Sequence, residues 1–284
     1  MSFDRDPLLF NCAGRLVDFS SPLVMGVLNI TPDSFYDGGR YLTPEAAEGR
    51  LASMIKEGAD IMDIGAYSSR PGAADISARE EWDRLEPVLK MVSSKFPDTL
   101  VSLDTFRSEI ARKSVEEYGV SIVNDISGGR FDDRMAETVA SLGVPVIIMH
   151  MQGTPRTMQL KPDYHDLTGE ITDFFSERIG FFTKAGVKDI IIDPGFGFGK
   201  TLDQNYEILA KLDAFKIFGV PILAGVSRKS MIYNYLDQEP EAALPGSIVL
   251  NVIALQKGAG ILRVHDVKEA VICRKLLEKV NSSQ

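Results

Sequence analysis

Long apolar runs are absent from this chain. No stretch approaches the 18 or so hydrophobic residues that a membrane-spanning helix requires. The first residues, Met-Ser-Phe-Asp-Arg-Asp-Pro, lack the apolar core of a secretory signal, so the expected location is the cytoplasm. Cysteine is scarce. Cys12 and Cys273 are the two in 284 residues, which excludes a disulfide framework and fits free thiols in a reducing compartment. Positive charge is also short, with 31 Lys and Arg against 40 Asp and Glu and a net charge of −9. That balance argues against a nucleic-acid surface, which carries a basic patch or stripe, but leaves room for a small anion site. Histidine occurs three times, and no Ser-His or Cys-His pair suggests a covalent nucleophile. No low-complexity linker interrupts the chain, so residues 1–284 read as one domain.

What is present is a repeating alternation. Short apolar, β-branched runs fall at 23–29, 61–66, 100–104, 121–125, 144–150, 190–193, 222–226 and 261–265. Their near-continuous hydrophobicity marks parallel strands covered on both faces. Amphipathic stretches separate them, at 44–57, 78–96, 108–118, 132–141, 167–185, 205–212, 242–257 and 267–280. Gly58, Gly119, Gly143, Gly186 and Gly258 stand where several of these helices should stop before the next strand. Eight strand-helix units in this length favour an α/β fold closed as a (β/α)8 TIM barrel over an open doubly wound sheet. Residues 8–20 hold two short apolar runs around an Ala-Gly turn. They read as an N-terminal hairpin capping the bottom of the barrel.

The polar residues fall at the strand ends. Asn29, Asp63, Asp104, Asn124, His150, Asp193, Ser227 and Arg263 each close or follow an apolar run, often before a Gly- or Pro-rich loop. Any one of them alone is best read as a loop residue satisfied by nearby backbone. Eight together are different, because a closed barrel brings all its strand ends around one mouth, where barrel active sites lie. Asp104, Asn124, Asp193 and Lys229 supply the acceptors, amide and ammonium that suit the edge of a flat heterocycle. Asn29, Ser69, Arg70, Arg263 and His265 bring cationic and small polar groups suited to phosphate. The amide oxygen of Asn29 suits a single protein ligand to Mg²⁺, with diphosphate oxygens and water completing the shell. His150 reads as structural or peripheral, and His165 carries no functional reading. The glycine-rich 196–199 segment matches no Walker or dinucleotide fingerprint.

At these positions the chain resembles the dihydropteroate synthase family. The resemblance rests on Met25-Gly-Val-Leu-Asn-Ile-Thr-Pro-Asp-Ser-Phe35, Asp63-Ile-Gly-Ala-Tyr-Ser-Ser-Arg-Pro-Gly72, Ser-Leu-Asp104-Thr, Val-Asn124-Asp, Met149-His-Met-Gln-Gly, Asp193-Pro-Gly-Phe-Gly-Phe-Gly-Lys200, Gly-Val-Ser-Arg-Lys229-Ser and Arg263-Val-His265-Asp-Val. The motifs keep the family's order across nearly the whole chain. The resemblance implies condensation of a pterin diphosphate with p-aminobenzoate in folate synthesis, in a homodimer that uses Mg²⁺. It implies a pterin site of Asp104, Asn124, Met149, Asp193, Phe198 and Lys229, with Met149 and Phe198 near the ring faces. Asn29, Arg70, Arg263 and His265 would take the diphosphate, with Mg²⁺ on Asn29. Phe35, Ser69, Arg70, Ser227 and Lys229 would frame the p-aminobenzoate pocket, where sulfonamides bind in relatives. Tyr67 and Ser69 depart from a loop that often reads Gly-Gly-Glu-Ser-Thr-Arg-Pro-Gly. Two rivals remain: a pterin-dependent methyltransferase domain, which has no use for a p-aminobenzoate pocket, and a non-catalytic pterin-binding barrel.

Overall fold

A computed structural model describes residues 8–31, 43–68, 75–158 and 162–283. A two-stranded hairpin comes first, β1 (Leu9–Cys12) and β2 (Arg15–Asp18). Its turn residues Ala13 and Gly14 both take positive φ, the backbone a two-residue hairpin turn requires. Eight parallel strands follow: β3 (Leu23–Asn29), β4 (Ile61–Gly65), β5 (Leu100–Asp104), β6 (Ile122–Asp125), β7 (Val146–Met149), β8 (Ile190–Asp193), β9 (Leu223–Ala224) and β10 (Ile261–Val264). They lie in the order β8-β7-β6-β5-β4-β3-β10-β9. One parallel bridge, Ile192 to Ile222, joins β8 to β9 and closes the ring. The barrel expected from the sequence is therefore present, hairpin included.

The helices are α1 (Pro44–Glu57), α2 (Ala78–Lys95), α3 (Ser108–Tyr118), α4 (Met135–Leu142), α5 (Leu167–Ala185), α6 (Leu202–Ala210), α7 (Ser230–Leu236), α8 (Leu244–Gln256) and α9 (Val267–Asn281). Thr43, Ser77 and Thr201 cap the first turns of α1, α2 and α6 with their hydroxyls. Gly58, Gly119, Gly143 and Gly186 close α1, α3, α4 and α5 in the left-handed conformation, as their spacing predicts. Several limits differ from the sequence reading. The run at 222–226 yields a ladder of two residues, because Pro221 has no N–H to pair and Gly225 gives nothing to pack. The helix expected at 205–212 begins at Leu202, where the Thr201–Gln204 capping box starts it. Helix α7 lies outside the helices expected from the sequence; its seven residues are too few to show a helical period.

Side-chain alternation along each strand divides the apolar residues into two clusters. Val24, Met62, Val101, Val123, Val146, Ile190, Ala224 and Leu262 face outward into the large cluster shared with the helices. Met25, Ile61, Leu100, Ile122, Ile147, Ile191, Leu223 and Ile261, one from each barrel strand, form a separate cluster with Phe10, Cys12 and Phe19 of the hairpin. That second cluster is the barrel floor. Backbone and side-chain bonds fix the hairpin beneath it, from Asn11 N to Asp189 (2.8 Å) and from Arg15 to the Asp98 carbonyl (2.7 Å), just before β8 and β5.

Candidate functional site

Two residues above the floor the inward positions turn polar. Asp63 on β4, Ser102 on β5, Asn124 on β6, Asp193 on β8 and Arg263 on β10 are the next inward side chains after Ile61, Leu100, Ile122, Ile191 and Ile261. The Asp63 carboxylate is fully buried and accepts bonds from Ser102 Oγ (2.7 Å), Asn124 Nδ2 (3.2 Å) and Arg263 Nε (2.7 Å). Arg263 also donates through Nη2 to Asp104 (3.0 Å). One guanidinium thus spans two carboxylates. Asn124 has one amide N–H committed to the Asp63 carboxylate. Gly65 lies in register between Asn29 and Asp104, and a Cβ there would come within 3.0 Å of the Asp104 Cβ. The absent side chain lets the Asp104 side chain lie against the β4 backbone.

Burial sets the electrostatics. It pushes the Asp104 carboxyl up to about 7, with Asp63, Glu81 and Asp125 adding to the push while Arg263 opposes it. Asp193 is raised by burial too, against the Gly195 amide and the charges of Lys229, Arg263 and Lys200. Burial alone would lower the Arg263 guanidinium, but Asp63, Asp104 and Asp193 carry it above its ordinary value. His265 is pulled down to about 4 by burial and by Arg263, so its imidazole is neutral at pH 7. Behind Asp104, buried Glu81 accepts from Thr105 (2.7 Å) and pairs with Arg107, bracing the start of the loop after β5.

On the β7–β8 side the mouth has an apolar lip. Ile126, Met149, Met151 and Met158 cluster there with Phe106 and Phe198. Lys229 Nζ stands 4.4 Å from the centre of the Phe198 ring. The Asp193 carboxylate accepts from the Gly195 amide at 2.7 Å, which fixes its rotamer. The six residues expected to hold a heterocycle (Asp104, Asn124, Met149, Asp193, Phe198 and Lys229) therefore share one side of the mouth.

Of the expected phosphate residues, Asn29, Arg263 and His265 belong to the ends of β3 and β10, which pair in parallel. Asn29 ends β3, and His265 follows β10, its amide donating to Ser227 Oγ at 3.2 Å and its carbonyl accepting from Arg50. Arg228, at φ 52°, forks onto both oxygens of Asp266 (2.7 and 2.8 Å) and ties the 227–229 turn to the start of α9. Phe35, Ser69 and Arg70 lie outside the described residues. Tyr67, one of the departures, packs edge-on against Phe106 at 4.9 Å.

Sequence reasoning placed Asp63 at the mouth without a role and left Lys200 out of the site. Asp63 interrupts the run Ile-Met-Asp-Ile-Gly, and a charge inside a strand covered on both faces was the available signal. Lys200 closes the glycine-rich loop after β8 and is 3% exposed; nothing in its sequence context separates it from a surface lysine.

The geometry agrees with the comparisons. Residues 25–265 match the family model described as pterin binding enzyme. The dihydropteroate synthase of Escherichia coli K12 is 43% identical over 273 residues, covering 95% of this chain and 96% of the relative. That of Haemophilus influenzae is 42% identical and covers 89% and 92%. Among solved structures, Yersinia pestis dihydropteroate synthase in complex with a sulfonamide drug superposes with a TM-score of 0.92 at 41% identity, covering 97% of this chain and all of that one. The Xanthomonas albilineans enzyme with 4-aminobenzoic acid gives 0.88 at 39%, covering 97% and 98%.

Proposed function

This chain belongs to the dihydropteroate synthases of the pterin-binding enzyme family, and from that membership we propose how its barrel mouth divides the work. The reaction is a transfer: 6-hydroxymethyl-7,8-dihydropterin diphosphate and p-aminobenzoate give 7,8-dihydropteroate and pyrophosphate. The observation that carries the division is the set of polar side chains Asp104, Asn124 and Asp193 at inward strand ends, with Arg263 bonded to Asp104. An amino-pyrimidinone edge offers N–H donors in a row and matches that set. Met149 and Phe198 cover the ring faces, and Lys229 donates to the ring carbonyl or a ring nitrogen.

The bond between the pterin methylene carbon and the diphosphate oxygen breaks, and the aniline nitrogen of p-aminobenzoate forms the new C–N bond and then loses its proton. Arg263 and His265 meet the charge that grows on the leaving diphosphate. Arg263 uses Nε and Nη2 on the carboxylates, which leaves Nη1 for that task. The held pterin stabilises the carbon as positive charge develops. Ser227 and Lys229, with Phe35, Ser69 and Arg70, frame p-aminobenzoate, and sulfonamides would compete there.

The donor chemistry around Asn29 fits Mg²⁺, which keeps most of its water and takes one or two protein oxygens alongside substrate phosphates. Asn29 would hold the ion, which would neutralise diphosphate charge when bound.

Two further readings accompany this one. Ile272, Leu276 and Val280 form an exposed stripe at helical spacing on α9, beside exposed Val249 of α8, and support a homodimer. Leu276→Asp should then shift the sedimentation coefficient to that of a monomer. Cys12 and Cys273 are unpaired and buried, with the Cys12 thiol pushed up to about 12 by burial, which suits the cytoplasm. No helix among the described residues is long and apolar enough to cross a membrane.

The test of function is pyrophosphate release from the pterin diphosphate, with Mg²⁺, in the presence and absence of p-aminobenzoate. Release coupled to dihydropteroate formation is expected. Pterin binding without condensed product would count against the reading.

A further inference from the structure

The loop after β8 holds a buried cation that the reaction does not use. Lys200 Nζ contacts the carbonyl oxygens of Gly195 (3.0 Å), Phe198 (3.0 Å) and His150 (3.3 Å), together with His150 Nδ1 (3.0 Å). These partners come from two loops, one after β7 and one after β8. Three carbonyls can only accept, so the lysine is an ammonium donor among them. His150 must then accept at Nδ1, which fits an imidazole held neutral by burial and by the charges of Lys200 and Arg130.

The backbone is shaped to allow this. Gly195 and Gly199 have φ of 72° and 63°. A Cβ on Gly195 would overlap the His150 carbonyl, and one on Gly199 would lie 2.6 Å from the Gln152 carbonyl oxygen. The two loops touch backbone to backbone, with the ammonium among their carbonyls. Other loop groups are tied as well: Gly197 N–H to Asn205 (2.6 Å) and the Gly199 carbonyl to Tyr164 (2.8 Å).

We propose that Lys200 is the positioning residue of the pterin site: its ammonium sets the loop that follows Asp193 and carries Phe198. This rests on the reading that Asp193 and Phe198 hold the pterin. Asp193 faces Lys200, Lys229 and Arg263; Lys200 faces Asp193, Lys229, Arg130 and His150. Burial pulls Lys200 down to about 7 while Asp193 pushes it back up. Removing the ammonium therefore costs most in acid, where the parent Lys200 is protonated. The deficit narrows as pH rises, because the parent loses that charge.

The experiment is calorimetric titration of Lys200→Met and the parent with 6-hydroxymethyl-7,8-dihydropterin diphosphate from pH 6 to 8.5, together with the KM for p-aminobenzoate. The Kd for the pterin diphosphate should weaken by about tenfold to a hundredfold at pH 6. Relative to the parent, the loss should shrink at least threefold by pH 8.5, while the KM for p-aminobenzoate stays within about threefold. An unchanged pterin Kd, or equal losses for both substrates at every pH, overturns the proposal. Should Lys200→Met fail to fold, Lys200→Gln carries the same test, since it keeps N–H donors for the carbonyls without the charge. Asp193→Asn separates the two ideas. If it binds pterin like the parent, the underlying site reading is wrong; if it fails to bind while Lys200→Met binds normally, only the positioning role is lost.

Discussion

The floor and the mouth of the barrel are built by the same eight strands, a few residues apart, and they differ in almost every physical respect. The floor takes one apolar side chain from each strand and closes against Phe10, Cys12 and Phe19. At the mouth, Asp63, Asp104, Asn124, Asp193 and Arg263 stand close together, with carboxyl groups displaced from their ordinary titration. Burial at the floor favours the native state because the buried groups prefer to be dry. Burial at the mouth works against it, since each charge has left water and is only partly compensated. The difference teaches that the hairpin and floor supply stability which the mouth, organised for binding, takes away.

Arg263→Ala attacks the mouth where it is most interdependent. It strands the buried Asp63 carboxylate and removes the counter-charge of Asp104, so turnover should fall by about 10³-fold or more. Stability should fall by about 3–5 kcal/mol, the cost of breaking a buried ion pair from one side. Stopped-flow product formation and thermal melting read the two effects. Unchanged stability would mean that water reaches Asp63 and that the mouth is wetter than its geometry implies.

Asp104→Asn should separate function from stability. Turnover is expected to drop about a hundredfold. The native carboxyl is raised from 3.8 to about 7, so its contribution favours folding at low pH and turns against it as pH rises through 7. The amide variant without substrate should therefore melt higher than the parent at pH 8, by about 2–6 °C, with the gain shrinking toward pH 5 and gone below about pH 4. A lower melting temperature at pH 8 would show that the Arg263 pair outweighs the burial cost.

Phe10→Ala is the converse experiment at the floor, where the rings of Phe10 and Phe19 lie 4.7 Å apart. About 3–5 kcal/mol should be lost on melting, while kcat and both KM values stay within about twofold at 20 °C. A selective loss of pterin affinity would instead mean that floor packing is transmitted to the mouth. The smallest effect is a proton. His265 is held at about 4, so pyrophosphate binding at pH 6 should draw in part of a proton as the anion raises that imidazole. Titration calorimetry in buffers of different ionisation enthalpy measures it, and His265→Gln should abolish the uptake.

Much of this was legible in the residues, for identifiable reasons. Near-continuous apolar runs with polar ends placed Asn29, Asp104, Asn124, Asp193 and Arg263 on one rim, because a closed barrel brings all its strand ends around one mouth. The glycine stops were readable because a left-handed cap has one favoured residue. What could not be read was pairing. Arg263, expected at the diphosphate, has two of its nitrogens on carboxylates. Asp63 was visible in its motif but not as the acceptor that joins Ser102, Asn124 and Arg263. Lys200 was invisible as a buried cation because its partners are backbone carbonyls, which leave no trace in composition. Short α7 escaped because its seven residues make about two turns, too few to show a helical period.

The closure itself has a mechanical consequence. Neighbouring staves of the barrel share ladders, but β8 and β9 meet at the single Ile192–Ile222 bridge. Asp193 stands just beyond it on one side, and the Ser227–Lys229 turn follows on the other. A cylinder with one thinly stitched seam opens there first, so amide exchange should be fastest along residues 222–226. A ligand held between Asp193 and Lys229 lies across that seam like a clasp. Occupancy should then slow exchange at the seam more than anywhere else in the barrel wall.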